Sequence, residues 1–180
     1  SFPSQMVSEL NDGVSFFNYR GYYGVSGFGD NDVNSTSNGF MLPVATVITC
    51  GTGSFSGDAL TESFIRAGTP SNPKGSVVCI GTATLGTHTM FNNIVDMGFY
   101  YGTMIEGLET PGSALVYGKM MLYKNYPTNP NNWCHIFTHW NNLMGESSLQ
   151  MWTAYPEVTT VSHPFAVTKG TNYIDLIVDK

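Results

Sequence analysis

Short apolar runs separated by Gly, Asn, Ser and Pro punctuate this chain, and their periods predict alternating strands and helices. Gln5 to Leu10 reads as a short helical end stopped by Asn11-Asp12-Gly13. Val14 to Tyr19, β-branched and aromatic, reads as a strand that runs into Arg20-Gly21-Tyr22-Tyr23-Gly24. Residues 25–42 have no hydrophobic period and are expected to form a long loop. Val44 to Thr49 is apolar almost throughout, as a parallel strand covered on both faces should be. A helix capped by Ser56 or Asp58 is expected to run to Ala67, with Leu60, Phe64 and Ala67 inward. Ser76 to Gly81 reads as a third strand, and Thr82 to Thr87 as a loop. Helices are predicted over Asn92 to Ile105, Ser113 to Tyr126 and Asn131 to Met144. Leu149 to Thr153 and Tyr173 to Val178 read as strands with no helix between them.

Strands alternating with helices imply crossover connections and a mostly parallel sheet, an α/β fold. Reactive groups in such sheets collect beyond the carboxyl ends of the strands. Tyr22, Cys50 and the 82–88 loop all lie at that end. The chain changes character near its C-terminus, and residues 157–180 read as the start of an all-β module, leaving 1–156 as the α/β domain.

Composition narrows the partners. At 180 residues the chain suits one domain with a proper core. Only 11% of residues are charged, against an ordinary ~25%. The resulting neutral-polar surface is commoner outside the cell. Seven Lys and Arg against a net charge of −6 cannot build a stripe that neutralises phosphates, which argues against nucleic acid. No apolar run reaches the ~20 residues of a membrane helix. The three cysteines, Cys50, Cys79 and Cys134, have neither the number nor the spacing of a disulfide framework or zinc site. Cys79 and Cys134 read as small core residues.

Cys50 differs from them. It ends an apolar strand and precedes the Gly51-Thr52-Gly53 turn into a capped helix, a position open to substrate and near a helix N-terminus. Amides near Gly51 can form an oxyanion hole. His88, at the same end of the sheet, is either a base or the start of the following helix behind a Thr87 cap. His135 and His139 are expected to pack among Trp133, Phe137 and Trp140. Asp30, Asp32 and Asn34 open like a calcium loop, but Ser35 and Met41 stand where its Gly and Glu belong, which favours a solvated loop without an ion.

Thr49-Cys50-Gly51-Thr52-Gly53-Ser54-Phe55 and Leu60 to Gly68 resemble the nucleophile segment of gingipain-like cysteine peptidases. Lys74 to Thr82 is similar to the family's next strand, and Met144 to Thr153 to its closing Gly-Asp-Pro-Ser-Leu segment. Asn18 to Gly24 corresponds to its Tyr-x-Gly-His-Gly segment. The resemblance spans roughly residues 14–156. It implies a caspase-like three-layer sandwich with a mostly parallel sheet, followed by an immunoglobulin-like module. It also implies a secreted or surface-attached endopeptidase that acts on protein or peptide substrates without a cofactor. Cys50 would be the nucleophile, and Gly21 and Gly24 would preserve the oxyanion turn. The family's catalytic His falls on Tyr22, and a phenol with a reference pKa near ~10 is a poor base at neutral pH. A non-catalytic relative serving as a surface module is therefore the alternative. Starting one short helix before the Tyr22 strand, residues 1–180 are expected to be part of a longer polypeptide whose preceding portion covers the sheet edge.

Overall fold

The protein is described by a computed structural model covering residues 1–154 and 159–179. Its centre is a four-stranded sheet of β1 (Phe16–Tyr19), β2 (Val44–Val47), β5 (Val78–Thr82) and β6 (Asn141–Gly145), in the order β1-β2-β5-β6. The first three are parallel, with Phe16 opposite Val44 and Val44 opposite Val78, and β6 runs antiparallel to β5. Every residue of β2 and β5 is buried, which accounts for their continuous apolar character.

The two-residue period of the strands feeds two cores. Phe17, Ala45, Val47 and Cys79 meet Leu10, Val33 and Phe64 on one face. These come from α1 (Phe2–Asp12), α2 (Asp30–Ser35) and α3 (Leu60–Arg66). Val44, Ile48, Val78 and Ile80 meet Phe91, Val95, Phe99, Leu122 and Phe137 on the other. These belong to α4 (Thr89–Met104), α5 (Pro111–Asn125) and α6 (Trp133–Trp140). Helices on both faces of a largely parallel sheet make the expected three layers.

Several elements differ from the sequence reading. The loop predicted over 25–42 holds a tight turn, Val25–Gly27, and α2. Its Val25, Phe28 and Val33 are buried anchors, but single turns are too short to show a period. The helix predicted from Asn131 to Met144 starts later and stops early. Asn131 and Asn132 have φ of 51° and 61°, so the helix begins at Trp133. After Trp140 the chain becomes β6, where Asn141 takes the Thr82 hydroxyl on Oδ1 and donates Nδ2 to the Phe137 carbonyl. A small hairpin, β3 (Gly68–Thr69) with β4 (Asn72–Pro73), precedes β5. Pro111-Gly112, expected between helices, opens α5 behind a Thr110 cap. Leu149 to Thr153 is not a strand; the Met151 N–H donates to the Glu109 carbonyl at 2.7 Å. In the tail, β7 (Thr160–Ser162) pairs antiparallel with β8 (Ile177–Asp179), later than the predicted start at Tyr173. The expected boundary between residues 156 and 157 lies outside the described residues. Among those described, no helix is long and apolar enough to cross a membrane.

Candidate active site

The site is built on the turn that follows β2. Thr52 ties it together: its hydroxyl donates to the Thr49 and Val47 carbonyls and accepts the Thr82 N–H at 3.2 Å. Its carbonyl accepts from the Thr61 hydroxyl at 2.8 Å and the Thr61 N–H at 3.0 Å. Gly51 has φ +71° and Gly53 lies against β5, where a Cβ would come within 2.5 Å of the Gly81 carbonyl carbon. Only glycine permits that approach. The Gly53 N–H donates to the Thr82 carbonyl, and Asn142 on β6 donates to the Gly53 carbonyl at 3.0 Å. The turn is thus held by β5 and β6, the second being the strand that the periodicity concealed.

Cys50 is half-buried at this end, and its Sγ lies 2.9 Å from the Thr87 hydroxyl oxygen. The helix-terminus expectation needs correction here. Helix α3 does not start until Leu60, and neither Ser56 nor Asp58 caps it. Instead the Ala59 N–H donates to Glu62 at 3.3 Å, while Asp58 pairs with Arg66 at the surface.

His88 is exposed and caps α4, its Nδ1 accepting the Met90 N–H at 3.2 Å. Its ring meets Phe91 edge-on at 5.5 Å. Thr87 is the partner of Cys50 rather than the cap. Among the described residues, no hydrogen bond joins His88 to Cys50. Tyr22 is 90% exposed just beyond β1. Because Tyr19 is in register with Val47, Tyr22 and Cys50 leave neighbouring parallel strands at the same end. The Thr49 hydroxyl fastens them together by donating to the Gly21 carbonyl at 3.0 Å.

The glycines divide by their amides. The Gly51 N–H is spent on the Thr84 carbonyl at 2.9 Å, so Gly51 serves the turn and not an oxyanion. Among the described residues, the N–H groups of Gly21 and Gly24 make no hydrogen bond. Gly24 needs its φ of +82°.

Three groups below the turn escaped the sequence reading: Asn18, Arg20 and Asp96. Arg20 donates Nη2 to the Thr89 carbonyl at 2.9 Å and Nη1 to the Gly21 carbonyl at 3.4 Å. Burial pushes its pKa down, while Asp96 and then Cys50 hold it up. Burial raises the Asp96 carboxyl to about 6, against the Asn18 amide bonds at 3.3 and 3.4 Å and the nearby Arg20 charge. One signal was available in the sequence: Asp96 follows Val95 directly and so borders the apolar stripe of Phe91, Val95 and Phe99 on α4.

The remaining candidates lie elsewhere. Asp30, Asp32 and Asn34 form a helix instead of the solvated or calcium loop. Asp32 accepts the Gly29 N–H, Asp30 accepts the Ser63 hydroxyl, and Asn34 donates to the Asp30 carbonyl. His135 and His139 are exposed on α6 with ring centroids 4.4 Å apart, not packed among the aromatics. Cys79 and Cys134 are buried. A cavity of about 300 Å³ is lined by Asp30, Asp58 and Arg66, and one of about 520 Å³ opens at the amino ends of the strands near Val14, Val44 and Val77. Neither Cys50 nor Tyr22 lines either of them.

The same sheet recurs in solved proteins. The Arg-specific cysteine proteinase gingipain R (RgpB) matches with a TM-score of 0.75 at 20% identity, covering 99% of this chain and 43% of that one. The complex of Porphyromonas gingivalis RgpB pro- and mature domains matches at 0.73 and 19%, covering 99% and 44%. A further protease matches at 0.67 and 19%, covering 94% and 43%. The chain therefore spans less than half the length of these structures. No curated protein matches significantly. The model of Peptidase family C25 matches residues 1–152, which include the whole sheet and the turn that holds Cys50. On that match the chain belongs to Peptidase family C25, the gingipain-like cysteine peptidases.

Proposed function

We propose that the polypeptide carrying these residues is a gingipain-type cysteine endopeptidase, secreted or surface-attached, with Cys50 as nucleophile. The carrying observation is the half-exposed thiol on a turn fixed by Thr52 at the end of a central parallel strand. The Cys50 sulfur, as thiolate, would attack the peptide carbonyl carbon, and its electron pair would move onto the oxygen. The unpaired amides of Gly21 and Gly24 are the candidate donors to that oxyanion. Expulsion of the amine leaves an acyl-enzyme, which water hydrolyses.

His88 is the candidate proton carrier. As cap, its Nδ1 lone pair is occupied by the Met90 N–H, which places the neutral ring's proton on Nε2. To take a proton from Cys50 the ring would have to release the cap. The exposed β7–β8 hairpin is read as the opening of an immunoglobulin-like module.

Cleavage of unstructured protein substrates, with Cys50→Ala as control, tests this reading. Cleavage lost in Cys50→Ala supports it. The exposed tyrosine at Tyr22, where the family has its histidine, favours a second reading, a non-catalytic relative. A folded protein that cleaves no substrate, under conditions that keep the thiol reduced, would support that reading instead.

A further inference from the structure

The proton carrier leaves one problem open. A thiolate at the end of β2 needs a positive charge, and the imidazole that the family places there is replaced by Tyr22. Arg20, two residues earlier, is a cation at this end of the sheet. It leaves β1 directly after Tyr19, and its guanidinium grips the first residue of α4 through the Thr89 carbonyl. Two residues before Thr89, Thr87 holds the Cys50 sulfur. On the other side, Thr49 is bonded to the Gly21 carbonyl, which Nη1 of Arg20 also meets. Two short links therefore hold Arg20 and Cys50 together, one through 89–87 and one through 21–49.

The donors of this guanidinium are not exhausted. Nε is buried, and among the described residues it has no hydrogen-bond partner. A buried N–H left unpaired costs on the order of 1–3 kcal/mol and calls for an explanation. Arg20 also has no ion-pair contact with Asp96, whose carboxylate is taken by Asn18. Its charge is thus only partly answered within the structure.

We propose that Arg20 is a positioning residue for catalysis: its half-buried, incompletely paired guanidinium supplies the fixed positive charge that favours the Cys50 thiolate in place of the family's imidazole. This rests on Cys50 being the nucleophile. Arg20 cannot accept the thiol proton, because the guanidinium stays protonated. The proton leaves to solvent or to His88, and Arg20 stabilises the anion left behind.

The test compares alkylation of Cys50 by iodoacetate, an anion, and by iodoacetamide, which is neutral, at pH 7, with the modified cysteine identified by peptide mass mapping. Cys79 and Cys134 are buried and serve as internal controls. The net charge of −6 should repel the anionic reagent, so a local cation is needed to favour it. The native protein is expected to show an iodoacetate-to-iodoacetamide rate ratio above that of glutathione, falling as salt rises. Arg20→Gln should lower the iodoacetamide rate by about tenfold and the ratio severalfold. Arg20→Lys should restore most of both. Asp96→Asn, which removes the opposing charge, should raise the ratio.

A native ratio at or below that of glutathione, insensitive to salt, overturns the proposal even if Arg20→Gln does not fold. So does a folded Arg20→Gln protein with unchanged rates. Neither outcome bears on peptide cleavage, which is read separately through Cys50→Ala. Absence of cleavage with intact Arg20-dependent alkylation would count against the peptidase reading, and with it against a catalytic role for Arg20, and would leave only the pairing of Arg20 with the Cys50 anion.

Discussion

Two side chains carry testable consequences of their own. His88 is a cap by geometry and a base only by proposal, and substitution can separate the roles. Asparagine keeps a cap acceptor but cannot shuttle a proton. His88→Asn is therefore expected to melt within a degree or two of the native protein, and His88→Ala to lose about 1 kcal/mol, roughly 2–4 °C in a chain of this size. If His88 is also the base, both variants lose peptide cleavage. Asp96 sets a pH dependence. Its carboxyl has an ordinary value of 3.8 and titrates at about 6 in the fold. Between those values the folded state binds the proton more tightly, so the Asp96 contribution to stability is largest below about pH 4 and falls away as pH rises to about 6. The loss is about 3 kcal/mol at most. Asp96→Asn should flatten thermal stability between pH 4 and 6 and raise it at pH 8. A slope that survives the substitution would place the titration elsewhere.

At the level of elements, the turn after β2 depends on strands distant in sequence. Thr52→Val keeps the shape of the side chain but strands the buried Thr82 N–H and removes the donor to the Thr49 carbonyl. It is expected to cost about 2 kcal/mol and to slow modification of Cys50, as measured by denaturant unfolding and alkylation. Gly81→Ala would push a Cβ to 2.8 Å from the Gly53 nitrogen and 2.7 Å from Thr61 Cγ2, and should displace the same turn. The strands under Cys50 were legible because parallel strands buried on both faces are apolar without interruption. Strand β6 was not, since Trp133 to Met144 satisfies a helical period. Only pairing with β5, and the bond from Thr82 to Asn141, ends the helix at Trp140. Helix α2 was missed because one buried Val33 is not a pattern.

At the scale of the whole molecule, the largely parallel sheet and the place of Cys50 at the end of a strand follow from the alternation of strands and helices, while the three layers were implied by the family resemblance. The electrostatics of the site were not readable in either. Asn18, Arg20 and Asp96 come together across 78 positions of sequence, and apart from the place of Asp96 beside an apolar stripe no local pattern marks such a meeting. Strand β1 pairs only with β2 among the described residues. The central claim is that Cys50 attacks peptide carbonyls. It is tested most directly by a peptidyl acyloxymethyl ketone, which alkylates a cysteine after binding as a substrate does. The account predicts one adduct, mapped to Cys50, that forms at a rate saturating with inhibitor concentration and is absent from Cys50→Ala. Labelling that never saturates, and is no faster than that of glutathione, would contradict it.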